Sequence, residues 1–292
     1  MRAGYGQLAV AGGEPLLYRP LPQLLARARA LGMITTVTTN GMLATPAVWE
    51  HIAPLLDFAA ISIDGTPAEH DTIRGQKGAF ARTVANLEVI RSSSVPFGFI
   101  FTLTQHNADS LEFVVRLAAE HGALGVQVHP LTLQGRAGTT MPGARPDGIE
   151  IVAALLEASR LSKQYGLAVH VDALTTDQIA AYRDRLVPAR PVRRLVDVAP
   201  LLIVNADGAV VPLTHDVDPA LRLGSLSSRP LALLARDWLA RGLGDALAAA
   251  CEQAWADLTE SDHPDAVYWY DAVAARTHRA RTFIPLEVRA IA

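Results

Sequence analysis

The sequence predicts an α/β fold of repeated strand–helix units, arranged as a barrel or an open parallel sheet, with a smaller α+β extension behind it. Three observations carry this. Short apolar, partly β-branched runs (QLAVA, MITTVTT, FAAISI, FGFIFTL, VQVHPL) alternate with longer segments of helical period (PLPQLLARARALG, PAVWEHIAPLL, FARTVANLEVIR, SLEFVVRLAAEHG). The spacers have about the length that a parallel crossover needs, and the strands read as the continuously apolar kind that helices cover on both faces. Beyond residues 135–138 (GRAG) the style changes: TTMPGARPDG is a Gly- and Pro-rich loop, taken as the end of the regular repeat, and LLIVNADGAVVPL is two apolar runs about Asn205-Ala206-Asp207-Gly208. That is a hairpin signal, because Asp-Gly tolerates the positive φ of a tight turn.

In chain order, the five strand–helix alternations fill residues 1–140, read as the core. A helical period over 149–165, a further strand at LAVHV and a composition change at RPVRR make residues 141–195 a last helix and strand with a linker. The hairpin, with helices expected at 230–257 and 264–281, makes residues 196–292 the extension.

Composition narrows the partners. The 292 residues are 50% apolar, ample for a buried core. The formal net charge is −3 and no Lys/Arg block occurs, which argues against nucleic acid and an anionic membrane surface and leaves peptides or small molecules. The start MRAGYGQLAVAGGEP lacks a secretory signal's charged and apolar regions, and no run of eighteen apolar residues exists to span a bilayer, so a cytoplasmic protein is expected. Cys251 is the only cysteine, so the chain has no internal disulfide, no CxxC zinc site and no all-cysteine iron–sulfur cluster of its own.

The strand ends point to the functional face. Each of the five apolar runs is followed at once by polar or glycine residues: Gly12-Gly13-Glu14, Thr38-Thr39-Asn40, Ser62 with Asp64, Thr102 with Thr104-Gln105, and His129. Parallel α/β folds hold ligands at the carboxyl ends of their strands, so five such ends in succession predict one binding mouth. Two glycines let backbone approach a ligand, and the Glu14 carboxylate accepts hydrogen bonds from an ammonium group; a solvated strand-end turn is the plainer alternative. Ser62 and Asp64, two apart, share a side, and a hydroxyl with a carboxylate suits a ribose or amino-acid moiety, unless they simply close the strand at Gly65. Asn40-Gly41 is equally explained as a left-handed turn, and His70-Asp71 is read as a local turn cap.

Taken together, AGGEPLL, TTNGML, ISIDG, EHDTIRGQKGAF and LQGRAG, in this order and spacing, resemble the radical S-adenosylmethionine (SAM) superfamily, particularly its peptide- and cofactor-maturing branch. The match covers roughly residues 7–138. The resemblance implies a partial (β/α) TIM-like barrel, here without the first strand–helix unit that carries the family's CxxxCxxC loop and its [4Fe–4S] cluster. It implies SAM as cofactor, held by Gly12, Gly13, Glu14 and Pro15, by Thr39 and Asn40, by Ser62 and Asp64, and by Thr102, Thr104, His129 and Leu131 around the adenosine. Arg74 would grip the SAM carboxylate with its guanidinium fork, with Arg82 as rival. No catalytic side chain and no metal ligand is assigned.

The departures matter as much. The cluster needs three thiolates and none is present, since Cys251 sits among alanines in DALAAACEQAW and reads as a buried structural thiol. The tail resembles a degenerate SPASM or twitch-like extension, with Leu213 of IVNADGAVVPL where the family has a cysteine. His215, Asp216 and Asp218 lack a fourth ligand at metal spacing and read as a solvated loop. QLAVA would be an unpaired apolar edge, inviting a homo-oligomer or a complex with another chain. Met1 is accordingly read as an internal or misassigned start with a further unit upstream, the alternative being a degenerate protein. The function expected is SAM-dependent radical chemistry on a peptide or small precursor in a fuller form. The alternative is a catalytically inactive barrel that binds a peptide or partner. An ordinary barrel lyase is disfavoured because the only lysines, Lys77 and Lys163, lie off the strand ends.

Overall fold

Six parallel strands in sequential spatial order build the larger part of the computed structural model, which describes residues 4–133, 137–141, 143–260 and 266–279. They are β1 (Gln7–Val10), β2 (Ile34–Thr39), β3 (Phe58–Ser62), β4 (Phe97–Leu103), β5 (Gly125–Pro130) and β6 (Ala168–Val171). The connecting helices are α1 (Leu21–Ala30), α2 (Pro46–Trp49), α3 (Pro67–Arg74), α4 (Ala79–Ser92), α5 (Leu111–Glu120), α6 (Ala137–Thr140) and α7 (Gly148–Tyr165). Each crossover steps to the next neighbour, as in one side of a TIM-like barrel. β1 and β6 are the outer strands, with no pairing between them among the described residues. This unit runs from Gly6 to Ala173.

Local chemistry sets the helix ends. Thr66 and Glu69 close a capping box on α3, which stops at Gly75 with φ +65°. Asp147 and Glu150 do the same for α7, which stops at Gly166 with φ +63°. PAVWEHIAPLL does not make the long helix its period predicts. It gives only α2 and a 3₁₀ turn at Ala53–Leu55, because Pro54 lacks an N–H and disfavours the α region at Ala53.

Two further expectations need correction. The repeat does not end at GRAG: α7 follows, and β6 pairs in register with β5 from Gly125↔Ala168 to Val128↔Val171. Gln134, Gly135 and Arg136 of the LQGRAG motif, and Pro142 of the loop after it, lie outside the described residues. Nor are the strands continuously apolar. On β2, buried Thr35, Val37 and Thr39 alternate with half-buried Thr36 and Thr38. On β5, buried Val126 and Val128 alternate with exposed Gln127 and half-buried His129. The helix-covered face carries Val37, Ile61, Phe99, Phe101 and Val126, all nearly inaccessible, each stabilising the fold by roughly 1.5–3 kcal/mol. The opposite face carries Thr36, Thr38, Ser62, Thr102, Gln127 and His129. The alternation marks β2 and β5, whereas β3 is buried on both sides from Ala59 to Ser62.

The second unit comprises Leu174 onward together with the residues up to Tyr5. β7 (Leu174–Thr175) pairs antiparallel with β11 (Ala266–Val267). The expected hairpin forms from β8 (Leu202–Val204) and β9 (Ala209–Pro212), turning at Gly208 with φ +81°, and β10 (Gly224–Ser225) adds a third strand. Its helices are α8 (Thr176–Ala181), α9 (Arg183–Leu186), α10 (Leu195–Val198), α11 (Leu231–Ala240), α12 (Leu243–Thr259) and α13 (Trp269–Arg279). The helix expected over 230–257 is two, broken at Gly242 with φ +72°. The part of 264–281 outside 266–279 is not described. Trp238, Leu247, Cys251 and Val273 form the core of this unit. No helix among the described residues is long and apolar enough to cross a membrane.

Candidate functional site

Glu14 organises the tops of β1 and β2. It caps a 3₁₀ turn begun by buried Pro15 and accepts hydrogen bonds from the Leu16 N–H (3.0 Å), the Thr39 hydroxyl (2.7 Å) and the Asn40 N–H (2.9 Å). A carboxylate offers about four acceptor positions, so a further donor can still be taken. Gly12 and Gly13 stand beside it at φ +82° and +44°, and a Cβ on either would meet no atom within 4 Å. These glycines are demanded by the backbone turn, and the space next to them is open.

Thr39 and Asn40 are largely committed to the turn. Besides donating to Glu14, the Thr39 hydroxyl accepts the Gly41 N–H at 3.0 Å, and the Asn40 side chain accepts the Met42 N–H at 2.9 Å. From α4, Thr83 donates to the Asn40 carbonyl (2.7 Å), and Asn86 donates to the Gly41 and Met42 carbonyls (2.9 and 3.1 Å). The left-handed Asn40-Gly41 turn weighed from the sequence is present, with Gly41 at φ +73°.

At the top of β3, Ser62 and Asp64 separate. Ser62 is buried, and its hydroxyl has no hydrogen-bond partner among the described residues. Asp64 is fully buried. Its Oδ2 lies 2.7 Å from the Arg74 Nε in an ion pair not aligned as a hydrogen bond, and its Oδ1 accepts the Thr102 N–H at a long 3.4 Å. Its own N–H donates to the His70 Nδ1 at 3.1 Å, which makes that nitrogen the unprotonated one. Burial holds the His70 imidazole below its usual value, against the pull of the Asp64 charge. Asp71 accepts the N–H groups of Phe80 (2.9 Å) and Gly78 at the start of α4, and these bonds keep its carboxyl below the usual range. The turn-cap reading of this pair therefore holds for Asp71, whereas His70 is a core group.

The two candidate arginines also part. Arg74 is spent on Asp64, while Arg82 is exposed, with Nη2 3.8 Å from the Met42 Sδ on the β2 loop. On β4, the Thr102 hydroxyl has no partner among the described residues. Thr104 is buried and its hydroxyl donates to Asn107. His129 on β5 lies 3.0 Å through Nδ1 from Asp172, whose Oδ2 also accepts Gln127 at 2.7 Å. Leu131 is buried, its N–H donating to the Leu103 carbonyl at 2.8 Å.

Asp172, Gln127 and Asn107 were not singled out from the sequence. Asn107 had a signal, an Asn just before a helical run, which is a capping position. In the second unit, Leu213 is buried at φ +63°, and Asp218 is buried rather than solvated, capping a turn through the Ala220 N–H at 2.8 Å. His215 and Asp216 are exposed, and no group of three metal-ligating side chains occurs among the described residues. The Cys251 thiol is pushed up to about 12 by burial, the opposite of what a metal ligand requires.

Residues 1–118 match the model of the Radical SAM superfamily. The chain is 36% identical over 131 residues to the AdoMet-dependent heme synthase of Methanosarcina barkeri, covering 44% of this chain and 38% of that protein. It is 33% identical over 162 residues to the PqqA peptide cyclase of Ruegeria pomeroyi, covering 53% and 43%. It thus spans less than half the length of each. Native anSMEcpe with bound AdoMet and the Kp18Cys peptide has the same fold, with a TM-score of 0.60 at 15% identity over 94% of this chain and 83% of that one.

Proposed function

Residues 1–118 match the radical SAM superfamily, and on that premise we propose that the tops of β1 to β5 bind SAM and present it to a peptide or small-precursor substrate. The observation that carries this is Glu14: a carboxylate fixed by three donors, with acceptor capacity left, beside two glycines that face open space. That is the arrangement an ammonium group needs. Glu14 accepts the SAM amino group, and Gly12 and Gly13 let the backbone close on it. Arg82 takes the SAM carboxylate in preference to Arg74, whose charge is already met by buried Asp64. The unpartnered hydroxyls of Ser62 and Thr102 bond the ribose or amino-acid portion, and His129 and Leu131 flank the adenine. Thr39, Asn40, Asp64 and Thr104 act beneath these groups by holding the strand tops in place.

Bound SAM would supply hydrogen-abstraction chemistry only together with a [4Fe–4S] cluster. The residues present do not fit that cluster: three thiolates are needed, and Cys251 is single, buried and held protonated. This chain's own residues therefore bind and orient SAM and substrate. Peptides are favoured as substrates because PqqA peptide cyclase is among the relatives and anSMEcpe binds a peptide; the heme synthase keeps a tetrapyrrole precursor as the second class.

Titration calorimetry of the chain with SAM tests the proposal. Saturable one-to-one binding is expected, weakened about tenfold or more in Glu14→Gln, which loses a charge-assisted bond to the ammonium group. Absence of saturable binding at millimolar SAM would overturn it. The single cysteine favours a second reading, a binding protein without radical chemistry. Peptide binding without any SAM binding would decide for it.

A further inference from the structure

We infer that Asn107 is a positioning residue for the SAM site, holding the ends of β3 and β4 at the separation that lets Ser62 and Thr102 address one ligand. This rests on the SAM-binding proposal above. Asn107 is only 2% exposed and precedes the 3₁₀ turn that leads into α5. Its Nδ2 donates to the carbonyls of Asp64 (3.0 Å) and Thr102 (2.8 Å), and its Oδ1 accepts the N–H (2.7 Å) and the hydroxyl (2.9 Å) of Thr104. A carboxamide has two N–H donors and two acceptor positions, and all four are filled. The orientation of the amide is forced, since Nδ2 faces two carbonyls and Oδ1 faces an N–H. The Thr104 hydroxyl already accepts the His106 N–H at 3.2 Å, so its own proton goes to Asn107.

The location gives these bonds their importance. The β3–β4 ladder ends at Ser62↔Ile100, with the Ile63 N–H donating to the Ile100 carbonyl at 2.9 Å. Past that point the only link between the two backbones besides Asn107, among the described residues, is the long 3.4 Å contact from the Thr102 N–H to the Asp64 carboxylate. Asn107 takes over where the ladder stops. It grips Asp64, two residues beyond Ser62, and grips Thr102 through that residue's own carbonyl. The Leu103 carbonyl, between Thr102 and Thr104, in turn receives the Leu131 N–H at 2.8 Å. One buried amide therefore fixes the backbone under the hydroxyls of Ser62 and Thr102 and under Leu131. It touches no ligand itself.

Asn107→Asp keeps the shape and the acceptor oxygen but turns two donors into an oxygen facing two carbonyls, and Asn107→Ser removes the grip with less repulsion. SAM affinity is measured by calorimetry well below each variant's melting temperature, so that global stability does not enter. Both variants are expected to bind SAM about tenfold or more weakly. Ser110→Ala serves as the control: it deletes the neighbouring bond from the Ser110 hydroxyl to Glu69 and is expected to melt lower with unchanged SAM affinity. If Asn107→Ser, or Asn107→Asp where it folds, melts lower yet binds SAM as the wild type does, Asn107 is structural only and the inference is overturned. Equal weakening by Ser110→Ala would overturn it as well, because any loosening of the loop would then suffice. A wild-type chain that fails to bind SAM sinks the proposed function first, and the positioning role with it.

Discussion

Replacing Gly41 by alanine tests the β2 turn through a cost built from two parts. Gly41 sits at φ +73°, where an L residue costs roughly 1–2 kcal/mol. Its added Cβ would lie 2.9 Å from the Thr83 Cγ2 and 3.3 Å from the Ile61 Cγ2, both on nearly inaccessible residues. Thr83 cannot swing aside cheaply, because its hydroxyl donates toward the carbonyls of Asn40 (2.7 Å) and Ala79 (3.0 Å), so overpacking adds about 1–3 kcal/mol. The expected loss is about 2–5 kcal/mol in urea unfolding. Gly12→Ala supplies the contrast. At φ +82° it meets the same conformational cost, but its Cβ touches nothing within 4 Å, so only about 1–2 kcal/mol is expected. In SAM titration the order reverses, since the Gly12 methyl occupies the space the ligand would use. A Gly41→Ala chain within 0.5 kcal/mol of wild type, or a Gly12→Ala chain that loses more stability than Gly41→Ala, would refute the assignment of one glycine to packing and the other to ligand approach.

Two predictions concern titrating groups. Burial lowers the His70 value in the folded chain from about 6.5, so between that lowered value and about 6.5 the unfolded chain binds more protons and stability rises with pH. Stability is therefore lost as pH falls through about 6.5, with no further loss from this group below its folded value, and His70→Leu should flatten that slope. Equal slopes in urea midpoints from pH 7.5 to 5 would count against it. For Cys251, a thiol near 12 leaves a thiolate fraction on the order of 10⁻⁴ at pH 8, so a disulfide reagent should label it slowly in the folded protein and at once in urea. Complete labelling of the native chain within minutes would contradict the buried placement.

The strand–helix repeat was legible because period-two and period-3.6 apolarity survive in single segments, and the Asp207-Gly208 hairpin because its turn has a local chemical signature. The polar face of the sheet was not legible. Runs such as FGFIFTL look uniformly apolar, and only a strand such as β5, with Gln127 and His129 between Val126, Val128 and Pro130, betrays two different sides. The helix over PAVWEHIAPLL was misread for the opposite reason: its periodicity was real, but Pro54 overrode it. Asn107 and Asp172 escaped because their partners lie on neighbouring strands, with contacts spanning 43 residues from Asn107 to Asp64 and from His129 to Asp172. No local pattern encodes such pairs.

A motif read from sequence also merges two populations that the hydrogen bonds divide. Thr39, Asp71, Thr104 and Asn107 have their main polar atoms occupied by backbone groups or by neighbouring side chains, and the charge of Asp64 is met by Arg74. Their substitution leaves buried partners unmet, and the first loss is stability, at about 1–3 kcal/mol for each orphaned group. Glu14, Ser62 and Thr102 retain unused capacity at the same strand ends, so under the proposed function their substitution is expected to weaken SAM binding first. ISIDG shows why the distinction cannot come from spacing: Ser62 and Asp64 lie two apart, a spacing that predicts a shared side, yet the hydroxyl is unpartnered among the described residues while the carboxylate is sealed against Arg74 and His70. Arginine assignment follows the same logic, because a guanidinium already neutralised by a buried carboxylate is a poor choice for a second one, and Arg82, eight residues on, carries no such debt.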